Sequence, residues 1–321
     1  MSPSSKPTTS AGTVRARIYR FDPSVDASPR YDSFEVPFVD GMRVLDVLDH
    51  VYEELAENIG YRWYCGVQRC GSCAVRVNGR EMLACWEPAE RDMVIEPLRH
   101  AGIVRDLVID RTDYEKRVDS LKPSLKRSEP YPGFPEPLRH GAFEAASQVF
   151  DCLNCLACQS ACPVLGLGGD IKFIGPAPLV QLAQRALDPR DSEDRGALAL
   201  DLGAVFECIS CYKCQEVCPV DIPVVEAAIE PLKALAFRRR PAAAGHVRAL
   251  METVERRGRV EPIGLMFRAR GLGALADALR AATLVLRGKI RPWHALFGND
   301  LAAPARGEIG KLFARRRGPD R

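Results

Sequence analysis

The chain has 321 residues, 46% of them hydrophobic and 27% charged, an ordinary soluble composition long enough for two domains with separate cores. Its net charge of +3 conceals a split: residues 238–321 carry 19 Lys+Arg against 7 Asp+Glu, whereas 1–237 are acidic. All 12 Cys fall into three groups of four, the polar opening MSPSSKPTTSAGT holds no apolar leader, and no run of about 18 uncharged apolar residues occurs; this argues against a disulfide scaffold and a spanning helix.

Residues 1–13 are expected to be a disordered tail. Residues 14–21 and 32–39 alternate and are rich in β-branched and aromatic side chains, which predicts two strands. Over 42–57 a helical face collects Val44, Leu45, Val47, Leu48, Val51 and Leu55. A cysteine loop runs from Tyr61 to Cys73. The strand AVRV (74–77), the Asn78-Gly79 pair and the return through Met82–Cys85 predict a hairpin, since Asn-Gly is its strongest short signal. Met93–Glu96 is a candidate last strand. Cys65, Cys70, Cys73 and Cys85 read C-x4-C-x2-C-x11-C, and the first spacings are those of plant-type [2Fe–2S] ferredoxins. Gly66 and Gly71 free the backbone to close on a cluster and aim N–H groups at sulfur. A zinc knuckle is the competing explanation for this loop alone.

Between 122 and 138, KPSLKRSEPYPGFPEPL holds five Pro and predicts an irregular linker. Residues 142–151 predict a helix leading into CLNCLACQSACP (152–163), which is repeated in pattern by CISCYKCQEVCP (208–219). Each run reads C-x2-C-x2-C-x3-C-P, the spacing of bacterial ferredoxins, in which the fourth Cys ligates the cluster of the other run. The crossed assignment is Cys152, Cys155, Cys158 and Cys218 for one [4Fe–4S] cluster and Cys208, Cys211, Cys214 and Cys162 for a second. Zinc rarely uses three Cys at such intervals followed by Cys-Pro, here twice over. A helix starts near Pro176, with Leu179, Leu182, Ala183 and Leu187 as its apolar stripe. Residues 224–237 also predict a helix, kinked at Pro231.

From about Ile18 to Leu235 the chain resembles the iron–sulfur subunit of succinate dehydrogenase and fumarate reductase. IYRFDPSVDASPRYDSFEV is similar to the family's strand pair and CGVQRCGSCAVRVNGREMLAC to its [2Fe–2S] loop. IVRDLVIDRTDYEKRVDSLKP (103–123) and KFIGPAPLVQLAQRALDPRDSEDR (172–195) carry no cysteine, so their likeness is separate support. The resemblance implies an α+β fold: a β-grasp [2Fe–2S] ferredoxin domain over 14–121, a Pro-rich linker over 122–141, an all-α dicluster ferredoxin domain over 142–240 and a basic helical extension over 241–321.

The chain departs from the family's usual pattern in three places. Cys211 stands where many members lack a ligand and hold a [3Fe–4S] cluster, so the resemblance implies a second [4Fe–4S] cluster here, or a [3Fe–4S] cluster if Cys211 is not a ligand. Leu165, Gly166 and Leu167 occupy the region of a Trp, and Ile209 the place of a His, that usual members present to quinone; an isolated Ile is most often core packing. Two cubane clusters without that pocket resemble unconventional members, in which a partner with CCG domains replaces the membrane anchor. The tail segment 245–297 is similar to the extension of the heterodisulfide reductase C subunit. In it Leu272, Leu275, Ala276, Leu279, Ala282 and Leu286 recur at helical spacing among Arg268, Arg270, Arg280, Arg287, Lys289 and Arg291, a basic amphipathic helix suited to an anionic membrane surface, a partner helix or its own domain.

The implied role is electron transfer without a catalytic site of its own. The chain has no dinucleotide fingerprint, no phosphate-binding loop and no evident acid–base pair. FAD is expected only in a flavoprotein partner that interconverts succinate and fumarate. A membrane-anchor or CCG-domain partner would link the chain indirectly to quinone, with the complex cytoplasmic and peripheral on the membrane. A heterodisulfide reductase-like or glycolate oxidase-like iron–sulfur component is the alternative; a zinc-stabilised nucleic-acid-binding protein is more distant, because no stacking platform accompanies the charge. The five His form no ligand spacing and are expected at the surface or at caps.

Overall fold

The computed structural model describes residues 12–257 apart from 56, 137, 139, 170 and 242–244, together with 265, 282, 283, 285–288, 307–309 and 311. Residues through Ala236 form one compact unit and those from Phe237 a second.

The first unit opens with strands β1 (Thr13–Arg20) and β2 (Arg30–Pro37), paired antiparallel in full register from Thr13–Pro37 to Arg20–Arg30. Alternation decides the faces: Val14, Ala16 and Ile18 are buried while Thr13, Arg15 and Arg17 face out. Helix α1 (Val44–Glu53) buries Val44, Leu45, Val47, Leu48 and Val51. It is shorter than the 42–57 expected, and Leu55 is exposed. The amides of Glu54 and Leu55 both turn back to the His50 carbonyl, and Ile59 fills the core in place of Leu55.

Strands β3 (Ala74–Val77) and β4 (Arg80–Leu83) form the predicted hairpin, with Asn78 and Gly79 at φ 51° and 81°. Both central residues are left-handed, as a two-residue turn between twisted strands demands. β4 therefore starts directly after the turn, two residues before the expected Met82. Strand β5 (Asp92–Glu96) pairs parallel with β1 and antiparallel with β3. The sheet order is β2-β1-β5-β3-β4, and a small ladder of β6 (Ile103–Arg105) and β7 (Val108–Ile109) follows. Buried Asp106, between them, receives the Phe21 and Gly60 amides and pairs with buried Arg20, so the charge is satisfied on several sides.

Helix α2 (Thr112–Ser120) leads from the sheet to the helical half, and the described residues of the Pro-rich 122–138 segment form no helix or strand, as predicted. Next come α3 (His140–Phe150), α4 (Ala157–Ala161), α5 (Pro176–Ala186), α6 (Arg195–Asp201) and α7 (Lys213–Glu216). α5 carries Pro at its first position and buries Leu179, Leu182 and Ala183 at the centre of the second core. The chain then makes a π turn, Val225–Ile229, whose last amide reaches from Glu230 to the Val225 carbonyl, and continues as α8 (Glu230–Arg239). Pro231 can neither donate to nor sit beside the carbonyl four residues back. The wide turn before it relieves that conflict and keeps the segment helical.

In the second unit, α9 (Gly245–Arg257) is described, with Ala249 and Thr253 buried. The apolar stripe expected over 272–286 lies outside the described residues except for Ala282 and Leu286, both of which are exposed. No helix among the described residues is long and apolar enough to cross a membrane.

Candidate iron–sulfur sites and the seam between them

The first thiol group sits at one end of the sheet. Gly66 and Gly71 take φ of 68° and 70°, and the loop curls so that the amides of Val67, Arg69 and Cys70 point at the Cys65 Sγ at 3.3–3.4 Å. Cys73 lies beside Cys85, and the amide of the preceding Ala84 donates to the Cys73 carbonyl. Burial opposes charge on Cys70, but bonds from the Ser72 hydroxyl and amide and from Cys65 outweigh it and bring the thiol down to about 6. Burial, with Cys85 and Cys70 close by, pushes Cys73 up to about 12.

The two later runs are conformational copies. In each, the residue before and the residue after the second Cys are left-handed: Asn154 and Leu156 at φ 53° and 67°, Ser210 and Tyr212 at 50° and 65°. A short helix then carries the third Cys, Cys158 on α4 and Cys214 on α7. Left-handed backbone costs a Leu or Tyr about 1–2 kcal/mol, and no glycine relieves it here. The turns bring the first three thiols of each run near one another.

The fourth thiols cross. Cys218 is near enough to Cys152, Cys155 and Cys158 for their charges to repel, and Cys162 stands in the same relation to Cys208, Cys211 and Cys214. Cys158 also feels Cys214, so the two groups adjoin. Burial pushes Cys155 and Cys214 up to about 12, and Cys158 well above the ordinary thiol range. Four crowded thiols, several of them withdrawn from water, resist ionising together unless a cationic centre shares them. Iron of a cluster meets that need, and the donor set fits it. Among the described residues no three His, Cys, Asp or Glu side chains converge on a single-ion site; a cluster, several atoms across, holds its ligands farther apart than one ion does.

The first two thiol groups meet at a close seam. A Cβ on Gly71 would lie 2.7 Å from the Leu153 carbonyl oxygen and 2.9 Å from the Cys155 Cβ. Gln68 donates to the Pro219 carbonyl at 2.6 Å. A cavity of about 250 Å³ beside this contact is lined by Arg62, Cys70, Gly71, Arg111, Asn154 and Cys155, among others.

Several residues that sequence reasoning passed over hold these turns. Tyr114 on α2 is buried, donates to the Asn154 Oδ1 at 2.8 Å, and has its phenol pushed up, first by burial and then by Cys152. Arg111 donates to the Asn154 carbonyl at 3.0 Å. Gln159 donates to the Ile174 carbonyl and accepts from the Ala177 amide, and a Cβ on Gly175 would meet its amide group, which accounts for the Gly of KFIGPAP. Buried Glu81 accepts from Ser160 and Arg99, joining the hairpin to α4. Arg195, 3% exposed, pairs with Asp191 and donates to the Leu121, Lys122 and Ser124 carbonyls, which accounts for the Arg closing DPRDSEDR. The one sequence signal available was Asn154, a residue type that tolerates left-handed backbone.

The second run differs from the first in cover. Cys211 is exposed. Ile209 is 64% and Leu167 is 69% exposed, so Ile209 is not core packing, although Glu230 and Lys233 of α8 reach Ser210 in the same turn. His100 is exposed and bonds to the Cys162 backbone.

Residues 15–116 match the 2Fe-2S iron-sulfur cluster binding domain family and 146–219 the 4Fe-4S dicluster domain family. One of the subunits of the fumarate reductase (CoM/CoB) of Methanothermobacter marburgensis is 32% identical over 79% of this chain and 51% of its own length. A fumarate reductase iron-sulfur subunit of Haemophilus influenzae is 31% identical over 67% of this chain and 90% of its own. A chain of the Mycobacterium smegmatis Sdh1 complex in the apo form superposes with a TM-score of 0.67 at 25% identity, covering 72% of this chain and 98% of that one. The chain spans roughly half the length of the methanogen proteins it matches. With both cluster-binding domains in the same order and nearly the whole Haemophilus protein matched, the chain belongs to the family of iron–sulfur subunits of fumarate reductase and succinate dehydrogenase.

Proposed function

We propose that the chain is the electron-transfer subunit of a succinate dehydrogenase or fumarate reductase complex. Cys65, Cys70, Cys73 and Cys85 would hold a [2Fe–2S] cluster. Cys152, Cys155, Cys158 and Cys218 would hold one [4Fe–4S] cluster, and Cys208, Cys211, Cys214 and Cys162 another. When bound, the clusters supply one-electron redox centres. The protein's part is to hold the thiolates, direct amides at Cys65 and at Cys218, where the Ile222 amide lies 3.4 Å from Sγ, and bury the first cubane turn from water. The observation that carries the reading is the crossing of Cys162 and Cys218 between two matched turns.

The partner on the [2Fe–2S] side is a flavoprotein carrying FAD. On the other side it is a CCG-domain or membrane-anchor subunit, which keeps the complex peripheral on the cytoplasmic face of the membrane. Exposed Leu167 and Ile209 lack hydrogen-bonding groups for a quinone oxygen, which favours transfer to a protein. The longer match to the CoM/CoB relative, 79% of this chain against 67% for the Haemophilus protein, supports an extension of that unconventional type. The test is iron, sulfide and EPR analysis after anaerobic purification, followed by succinate reduction in the presence of the flavoprotein. About ten irons and three signals that succinate reduces are expected. A colourless protein with stoichiometric zinc would end the reading.

A further inference from the structure

We propose that Tyr114 is a positioning residue that raises the reduction potential of the first cubane centre through its bond to Asn154. This rests on the proposed ligand set Cys152, Cys155, Cys158 and Cys218.

Asn154 is held on three sides. Its backbone is left-handed, its carbonyl accepts from Arg111 at 3.0 Å, and its side-chain oxygen accepts from the Tyr114 hydroxyl at 2.8 Å. The Arg111 guanidinium stacks 5.4 Å above the Tyr114 ring, so the two holders brace each other. What they hold bears directly on a ligand sulfur. The Asn154 amide hydrogen-bonds Cys152, and its Oδ1 stands 3.9 Å from the Cys152 Sγ.

Two effects then act in the same direction. A fixed Asn154 keeps its N–H aimed at the sulfur, and such bonds favour the more negative, reduced state. The Asn154 Oδ1 presents negative charge to the same sulfur, and the Tyr114 hydroxyl offsets it. Reduction adds one electron to the centre without a bond change in the protein, so loss of either effect disfavours it. The corresponding residue of the second run, Ser210, is instead engaged by Glu230 and Lys233, so the effect belongs to one centre.

The experiment is an EPR-monitored redox titration of the anaerobically purified protein and its Tyr114→Phe variant. Iron content and all three signals should be retained. At fixed solution potential the reduced-to-oxidised ratio of the first cubane signal should fall at least about threefold, or about 28 mV at 59 mV per tenfold, with the other two centres unmoved. Asn154→Gly keeps a left-handed turn but removes the acceptor, and in that background Tyr114→Phe should shift nothing further. An unmoved potential, a common shift of all three centres, a full shift in the Asn154→Gly background, or loss of iron from Tyr114→Phe would overturn the proposal. Absence of any cubane signal from the parent protein would instead defeat the ligand assignment, and the proposal with it.

Discussion

Gly66 and Gly71 have almost the same backbone, φ 68° and 70°, yet very different neighbours, and the pair offers an internally controlled test of the seam. An added Cβ at Gly66 meets nothing within 4 Å, whereas at Gly71 it falls 2.7 Å from the Leu153 oxygen and 2.9 Å from the Cys155 Cβ. Gly66→Ala should therefore cost only the left-handed strain of an L residue, about 1 kcal/mol, or about a fivefold rise in the opened fraction. Gly71→Ala carries the same strain plus overpacking of about 1–3 kcal/mol, because backbone and a ligand side chain must move rather than a flexible tip. The sum is at least about 2 kcal/mol, roughly a thirtyfold rise. Cluster proteins unfold irreversibly, so the assay is the rate of visible bleaching in mild denaturant, where opening is fast and the rate follows the opened fraction. Gly71→Ala should bleach several times faster than Gly66→Ala. Equal acceleration of the two variants would refute the claim that the first cysteine loop bears on the turn around Cys155.

Other consequences are open to measurement. Cys211→Ser leaves Cys208, Cys214 and Cys162, and the oxidised variant should show the EPR signal of a three-iron cluster absent from the parent protein. Asp191→Asn leaves the buried Arg195 charge with carbonyl acceptors but no carboxylate, both side chains being 3% exposed, and should cost up to about 3–5 kcal/mol, read as faster bleaching at neutral pH. Burial works against the Asp191 carboxylate, but Arg195 and the Lys126 amide hold it below the ordinary range, and Arg190 does the same for Asp188. Their contribution is complete above the unfolded carboxylate value of about 3.9 and fades as pH falls through the lower folded values; parent bleaching should therefore steepen below about pH 4, and less so in Asp191→Asn. Removal of 241–321, with its excess of Arg and Lys, should keep all three signals and release the protein from its membrane-side partner in a salt-sensitive manner; unchanged membrane association would refute that role.

Much of this was legible because it is local. Alternation in VRARIYRF and the Asn78-Gly79 pair fix strands and a turn over a few residues, and the cysteine spacings state their chemistry outright. Helix α2 escaped because TDYEKRVDS has no apolar stripe; its one buried side chain, Tyr114, is placed by a contact 40 residues away. The end of α1 escaped because Leu55 has the right spacing, yet Ile59 takes its place in the core. The Gly71 seam and the Arg195 clamp join segments about 80 and 70 residues apart, and such long-range packing leaves no period in the sequence.

The matched turns of the two later cysteine runs have a further consequence. Position for position, Leu153 packs against the sheet core while Ile209 faces solvent; Leu156 is 4% exposed while Tyr212 is 42% exposed; Cys155 is half-buried while Cys211 is open. A repeat made of equivalent backbones has thus been given direction by its side chains alone. One copy is insulated on the side of the N-terminal sheet, and the other, among the described residues, keeps the outer face of its turn exposed.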